Sequence, residues 1–259
     1  MCPWRASAFL ALLAPGIWIA WQWATGMLGP EPVKEAIHGT GLWAVRFLLA
    51  SLAITPLRWL SDLPQLPYLR RQLGVGSFCY AFTHLLLFVL DQNLDLPKAV
   101  LEIVQRFYLT IGFVALLGLG ALAWTSTDGW TRRLGRDWKR LHRLAYPIGV
   151  LAILHFFLQS KADVSEPVFV SGLFLWLMLW RSLPDGVSRR PLAAFLLAPA
   201  AALGAAGVEY AWYALATNIP AGLVLAANLD LTFGPRPAVW VGIASLGLAL
   251  LVTLRRVAR

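Results

Sequence analysis

Four histidines stand in a chain of 259 residues, and three of them fall in or at the ends of apolar runs, where an imidazole is costly to place. His84 lies inside one run; His142 and His155 open and nearly close another; His38 stands apart beside Gly39 and Gly41. A single histidine in a membrane helix more often hydrogen-bonds a neighbouring helix than binds a metal. The spacing here argues for more. His142 and His155 are 13 residues apart, and His84 is 13 residues beyond Arg71 and 14 beyond Arg70. At ~1.5 Å per residue, each interval spans about 20 Å along a helix. If both helices run the same way from one basic border, His84 and His155 share a depth. Neutral imidazoles from two neighbouring helices can then close on a haem iron from opposite faces. At the other level, Arg70 or Arg71 lies opposite His142. A guanidinium stays charged and is a poor iron ligand, but it suits a haem propionate. One angle resists: 13 residues turn His142 and His155 about 140° apart on an ideal helix. Pro147 and Gly149 lie between them, and a proline kink there would re-phase the two rings.

The elements that must carry these residues are membrane helices. The chain is 59% hydrophobic and 14% charged, which is not the composition of a soluble domain. Runs near the ~20 residues needed to cross a bilayer occupy 6–28, 41–60, 73–91, 107–125, 141–159, 167–182, 191–214 and 238–254. The sixth is short and the seventh carries Glu209. The first is long, contains Trp18, Trp21 and Trp23, and lacks a small-residue cleavage site before Gly29, so it reads as a retained span rather than a signal peptide. A break of arginine, proline and glycine near 181–191 divides a six-span core, 1–182, from a two-span extension, 183–259.

Charge then orients the bundle. Sixteen of the 22 Lys and Arg residues fall on one side: Arg5, Arg58, Arg70, Arg71, six within 132–143, Arg181, Arg189, Arg190, Arg255, Arg256 and Arg259. By the positive-inside rule that side is cytoplasmic. The expectation is an all-α, polytopic bundle of eight spans in a bacterial inner membrane, with both termini cytoplasmic. The net charge of +9 therefore reports topology and not nucleic acid, which needs a clustered basic face on a soluble fold. Cys2 and Cys79 are too few for a disulfide framework, and Cys79 reads as a small buried hydrophobe. There is no phosphate loop, no Cys-x-x-Cys and no nucleophile–base pair, so any flavin-reductase or molybdenum domain must be another chain.

Several stretches together resemble the MsrQ (YedZ) family, within the wider ferric-reductase-like transmembrane superfamily. They are His38-Gly39-Thr40-Gly41, RFLLASLAITPLRW at 46–59, RRQLGVGSFCYAFTHL at 70–85, QRFYLTIGF at 105–113, AWTSTDGWTRRLGRDWKRLHRLAY at 123–146, and ILHF at 153–156. They run in unbroken order over about 28–182. The resemblance implies an electron-transfer subunit, not the catalytic one. It would hold haem b, one or two, on His84, His155 and His142, and FMN near the cytoplasmic basic face. Electrons would come from the quinone pool or a cytoplasmic flavin reductase. They would go to a periplasmic MsrP-like molybdoenzyme that reduces methionine sulfoxide in oxidised proteins. In the superfamily pattern a second histidine precedes the first by 14 positions; this chain has Arg70 there, as MsrQ-like proteins do. The extension 183–259 has no counterpart in that pattern.

Other residues admit two readings. His38 reads as a loop histidine on the outer side, given a role by its match to the family stretch. Arg46 and Arg106, at outer span ends, either snorkel to the interface or pair with haem propionates, the second favoured for Arg46. The 132–143 cluster holds topology and can also bind a flavin phosphate or anionic lipid headgroups. Gly118, Gly120, Gly204 and Gly207 read as close-packing positions. Two rival functions remain: a ferric-reductase-like or quinol-oxidising cytochrome b for another partner, or a transporter or scaffold whose histidines only bond between helices. The inverted repeats common in transporters are not found in the sequence.

Overall fold

The computed structural model describes residues 3–61, 66–160, 163–188, 190–232 and 234–257, and among them every regular element is helical. Cys2, Arg189 and Arg259, used in the readings above, lie outside the described residues. In chain order the helices are α1 (Pro3–Ala24), α2 (Pro32–Ser61), α3 (Leu66–Asp91), α4 (Leu96–Gln105), α5 (Phe107–Trp124), α6 (Asp128–Leu134), α7 (Arg136–His142) and α8 (Ala145–Gln159). Then follow α9 (Ser165–Ser182), α10 (Asp185–Ser188), α11 (Pro191–Ala216), α12 (Ala221–Ala226), a 3₁₀ turn (Ala227–Leu229) and α13 (Pro237–Val257). Six helical stretches are long and apolar enough to cross a membrane: Ser7–Ala24, Pro32–Arg58, Tyr68–Asp91, Phe107–Trp124, Arg136–Gln159 and Pro191–Ala216. Pro237–Leu251 is a shorter apolar stretch.

The chain forms two compact units, one of 1–51 with 67–155 and one of 52–66 with 156–259. Within the second unit α9 packs with α11 and α13.

In the first unit, α2 and α3 meet along an antiparallel seam marked every seventh residue by a polar stitch. Ser51 Oγ donates to Arg70 O at 3.3 Å, Ser77 Oγ to Ala44 O at 2.8 Å, and His84 Nδ1 to Ile37 O at 2.8 Å. Seven residues is the repeat that keeps one stripe of a helix facing a slightly inclined partner. Each stitch adds a donor to a carbonyl within a helix, and the Ile37 oxygen also accepts from Thr40 Oγ1 at 3.0 Å. Leu48, Ala115, Leu119, Leu122 and Ile148 form the buried core of this unit. Tyr80 holds α1: its hydroxyl accepts from Gly16 N at 2.7 Å and donates to Leu12 O at 2.8 Å, entering the helix ladder beside Pro15. A side chain inserted into the ladder is one of the few causes of a local helix distortion. Only glycine fits there, because a Cβ at Gly16 would lie 2.9 Å from the Tyr80 oxygen.

The second unit is built on α9, α11 and α13. Ala194, Ala198, Ala201 and Ala205 line one face of α11 and are fully buried, so small side chains bring the neighbours close. A Cβ at Gly172 of α9 would lie 2.5 Å from Val241 and 2.8 Å from Ala205. Glu209 continues that buried face by one turn, and a buried carboxylate needs partners. Arg236 donates to both of its oxygens and Asn228 Nδ2 to one at 3.2 Å. The carboxylate in turn holds the Arg236 pKa above its ordinary value.

Three expectations change. His38, Gly39 and Gly41 are not in a loop: α2 begins at Pro32, a good first helical residue, and they form its second and third turns. Cys79 is exposed rather than buried. A membrane helix is apolar on its lipid face as well as its packed face, so hydropathy could not tell the two apart. Gly118 and Gly204 do accept close neighbours, Ile148 at 2.7 Å and Leu175 at 3.2 Å from a virtual Cβ, and Gly120 accepts Phe78 at 3.3 Å. Gly207 has nothing within 4 Å.

Candidate functional site

His84 on α3 and His155 on α8 come together in the first unit, with ring centroids 6.2 Å apart and planes at 90°. Each is held from behind by a neighbouring helix. His84 Nδ1 lies 2.8 Å from Ile37 O on α2, and His155 Nδ1 lies 2.7 Å from Tyr108 O on α5. A carbonyl only accepts, so each Nδ1 carries the proton and donates it. That tautomer leaves the Nε2 lone pair of both rings available to a metal.

Both rings rest on a glycine. A Cβ at Gly41 would lie 2.9 Å from His84 Nδ1, and one at Gly112 would lie 2.7 Å from His155 Nδ1. Any larger residue would push the imidazole off its carbonyl. The spacing of the pair matches its donor chemistry. Two imidazoles sharing one metal at bonds of ~2 Å place their ring centres about 6 Å apart. Among the described residues no group of three or more His, Cys, Asp and Glu side chains is placed to hold a metal ion. The two rings would fit a haem, whose own nitrogens would fill the iron's remaining positions.

His142 is placed differently. It closes α7, ahead of a break at Arg143–Leu144 that separates it from α8 and His155. Pro147 is the cause, since it has no N–H for the Arg143 carbonyl and its ring crowds that oxygen. Tyr146 N takes the carbonyl instead at 3.1 Å, in a tighter turn. The helix interruption expected at Pro147 therefore lies at Arg143–Leu144, one turn earlier. His142 Nδ1 donates within its own helix to Trp138 O at 3.1 Å, and the ring stacks on Trp138 with centroids 3.9 Å apart. Its Nε2 lies 3.3 Å from Ser126 Oγ, whose single hydrogen also serves Leu122 O at 2.6 Å. The longer contact is the weaker one. Arg70 and Arg71 are within Coulombic reach of the ring, and Arg71 is paired at 2.6 Å with Asp128.

The remaining candidates lie around this frame. Arg46 sits one and a half turns beyond Gly41, with its guanidinium 5.1 Å from the centre of the Trp43 ring. Arg106, at the α4–α5 junction, pairs with Glu102 and donates to Tyr108 Oη at 3.1 Å. That places it two residues before the carbonyl that holds His155. His38 is exposed on α2, one residue after the carbonyl that holds His84. Reading the sequence alone overlooked Gly112 and both carbonyls. The available signal was a glycine inside each of two apolar runs, at Gly41 and Gly112, with no turn to explain it.

Comparison with known proteins agrees in extent and kind. Residues 40–153 match the ferric reductase like transmembrane component family. The chain is 47% identical to the protein-methionine-sulfoxide reductase heme-binding subunit MsrQ of Xanthomonas oryzae pv. oryzae over 189 residues, 73% of this chain and 87% of that protein. The similarly described protein of Xanthomonas axonopodis pv. citri is 48% identical over 177 residues, covering 68% and 81%. That of Caulobacter vibrioides is 41% identical over 175 residues, covering 67% and 83%. No solved structure matches the chain significantly. A paired-histidine seat inside a ferric-reductase-like membrane domain, with such identity over most of the relatives' length, leads to one conclusion: the chain belongs to the MsrQ family of methionine-sulfoxide reductase subunits.

Proposed function

We propose that this chain is the membrane electron-transfer subunit of a protein-methionine-sulfoxide reductase, holding haem b between His84 and His155. The observation that carries the reading is the pair itself, with rings 6.2 Å apart and each Nδ1 committed to a main-chain carbonyl. When bound, the haem supplies a one-electron carrier. The protein's own residues fix the rest. The Ile37 and Tyr108 carbonyls hold the ring tautomers and raise the basicity of the ligating nitrogens. Gly41 and Gly112 let the rings reach those carbonyls, and Arg46 and Arg106 supply cations for propionates.

Eight spans with both termini cytoplasmic place the histidine pair nearer the periplasmic side and the 132–143 basic cluster at the cytoplasmic face of an inner membrane. FMN, like an anionic lipid headgroup, would meet that cluster through its phosphate. Electrons enter from the quinone pool or a cytoplasmic flavin reductase and leave to a periplasmic MsrP-like molybdoenzyme, which reduces methionine sulfoxide. The 1–182 core carries this chemistry, and 183–259 is a two-helix appendage that supports it.

The test is spectroscopic. Purified protein should show a reducible Soret band, and the dithionite-reduced form should be reoxidised by an MsrP-like partner with its substrate. Absence of the band ends the redox reading. A band that the partner cannot reoxidise ends the methionine-sulfoxide assignment and leaves a cytochrome b for another acceptor.

A further inference from the structure

The two histidine seats are built to one local plan. In each, the accepting carbonyl lies four residues before the glycine: Ile37 before Gly41 and Tyr108 before Gly112. Within an α-helix that carbonyl already takes the N–H of residue i+4, whose Cβ would stand beside the oxygen's second lone pair. A glycine at i+4 opens the lone pair to a donor from another helix. The imidazole plane is then set by two constraints at once, the direction of the Nδ1–H···O bond and the contact with bare backbone. Applied from α2 on one side and α5 on the other, these constraints leave the two planes at 90°.

We infer that Gly41 and Gly112 are positioning residues that lock the axial imidazoles perpendicular, and so impose a near-degenerate, highly anisotropic low-spin state on the iron. This rests on His84 and His155 being the haem ligands. Each imidazole donates π density into the iron d orbital that lies perpendicular to its own ring. Parallel rings load the same orbital and separate it from its neighbour, which gives a rhombic spectrum. Perpendicular rings load the two orbitals equally and leave them close in energy.

The test is low-temperature EPR on the oxidised holoprotein. The wild type should show one feature at unusually large g, with the other components broadened. A rhombic spectrum with three resolved g values from the wild type overturns the inference while leaving the haem assignment intact. In Gly112→Ala the added Cβ meets three atoms of the His155 ring at 2.7, 2.8 and 3.0 Å. In Gly41→Ala it meets two atoms of the His84 ring at 2.9 and 3.1 Å. The large-g feature should move toward the rhombic pattern in both, further in Gly112→Ala, and the haem midpoint potential should rise as the Nδ1–carbonyl bond is lost. Gly74→Ala, whose Cβ would lie an ordinary 3.6 Å from Ser51 Oγ, should leave the spectrum unchanged. Haem-replete glycine variants with the wild-type spectrum refute the role of the glycines. If both variants lose haem, the wild-type spectrum decides alone. Low-spin haem surviving in His84→Ala or His155→Ala defeats the underlying ligand assignment instead.

Discussion

The first unit presents histidine at two levels, and the levels are built in opposite ways. At the His84–His155 level each ring is gripped by a helix other than its own, through a carbonyl and a glycine. At the His142 level the Nδ1 of the ring is gripped by its own helix, through the Trp138 carbonyl and the Trp138 indole, with a longer Nε2 contact to Ser126. A ring held by foreign backbone is aimed at a fixed point between helices, as a metal ligand must be. The His142 ring is folded back on its own turn, and the Arg70 cation is within Coulombic reach of it. The two levels differ in which helix holds the Nδ1 of each ring.

The harshest test of that contrast is removal of the ring. His84→Ala and His155→Ala should each abolish the low-spin haem spectrum, since each removes one of the two facing imidazoles. His142→Ala should leave a haem-to-protein ratio of about one by pyridine haemochromogen, the same as wild type, because the complete axial pair is untouched. A wild-type ratio near two that falls by half in His142→Ala would break the comparison and give the inner level a haem of its own.

A gain-of-function test is milder. Arg70→His restores the histidine two heptads before His84 on the α2–α3 seam. It should not raise haem content, because the His142 ring opposite stays stacked on Trp138 and has no glycine seat. An increase would show that ligand identity, and not the seat, was missing. The smallest effect belongs to the seam between the levels. Ser77→Ala removes a buried 2.8 Å bond to Ala44 O, and should cost about 1 kcal/mol in thermal unfolding with no change in the Soret maximum. A shifted spectrum would mean that the seam, and not only the seats, sets ligand position.

Much of this molecule was legible before any coordinates. The long apolar runs located the six strongest spans to within a few residues at most ends, since a bilayer tolerates little but long apolar helices. The equal offsets of His84 from Arg71 and of His155 from His142 suggested a shared depth, because rise per residue is nearly constant. Helix phase was harder. Thirteen residues of ideal helix set His142 and His155 on different faces, but the turn at Arg143–Leu144 interrupts that helix, so counting residues does not fix their relative phase. The exposed Cys79 and the helical His38–Gly41 stretch were misread for a common cause. Hydropathy measures whether a residue suits lipid or protein interior, and it is silent on which of the two it meets.

By itself the sequence determined that the chain is helical and suited to a membrane, where its basic borders lie, and which few imidazoles are available for chemistry. Those follow from the cost of charge and of unpaired backbone in hydrocarbon, which acts on each segment separately. Only the tertiary structure decided that His84 and His155 face each other at a right angle while His142 turns back on Trp138. Those outcomes depend on carbonyls and missing side chains contributed by other helices. A glycine has no side chain to announce what will rest on it, so Gly41 and Gly112 acquire their meaning when α2 meets α3 and α5 meets α8.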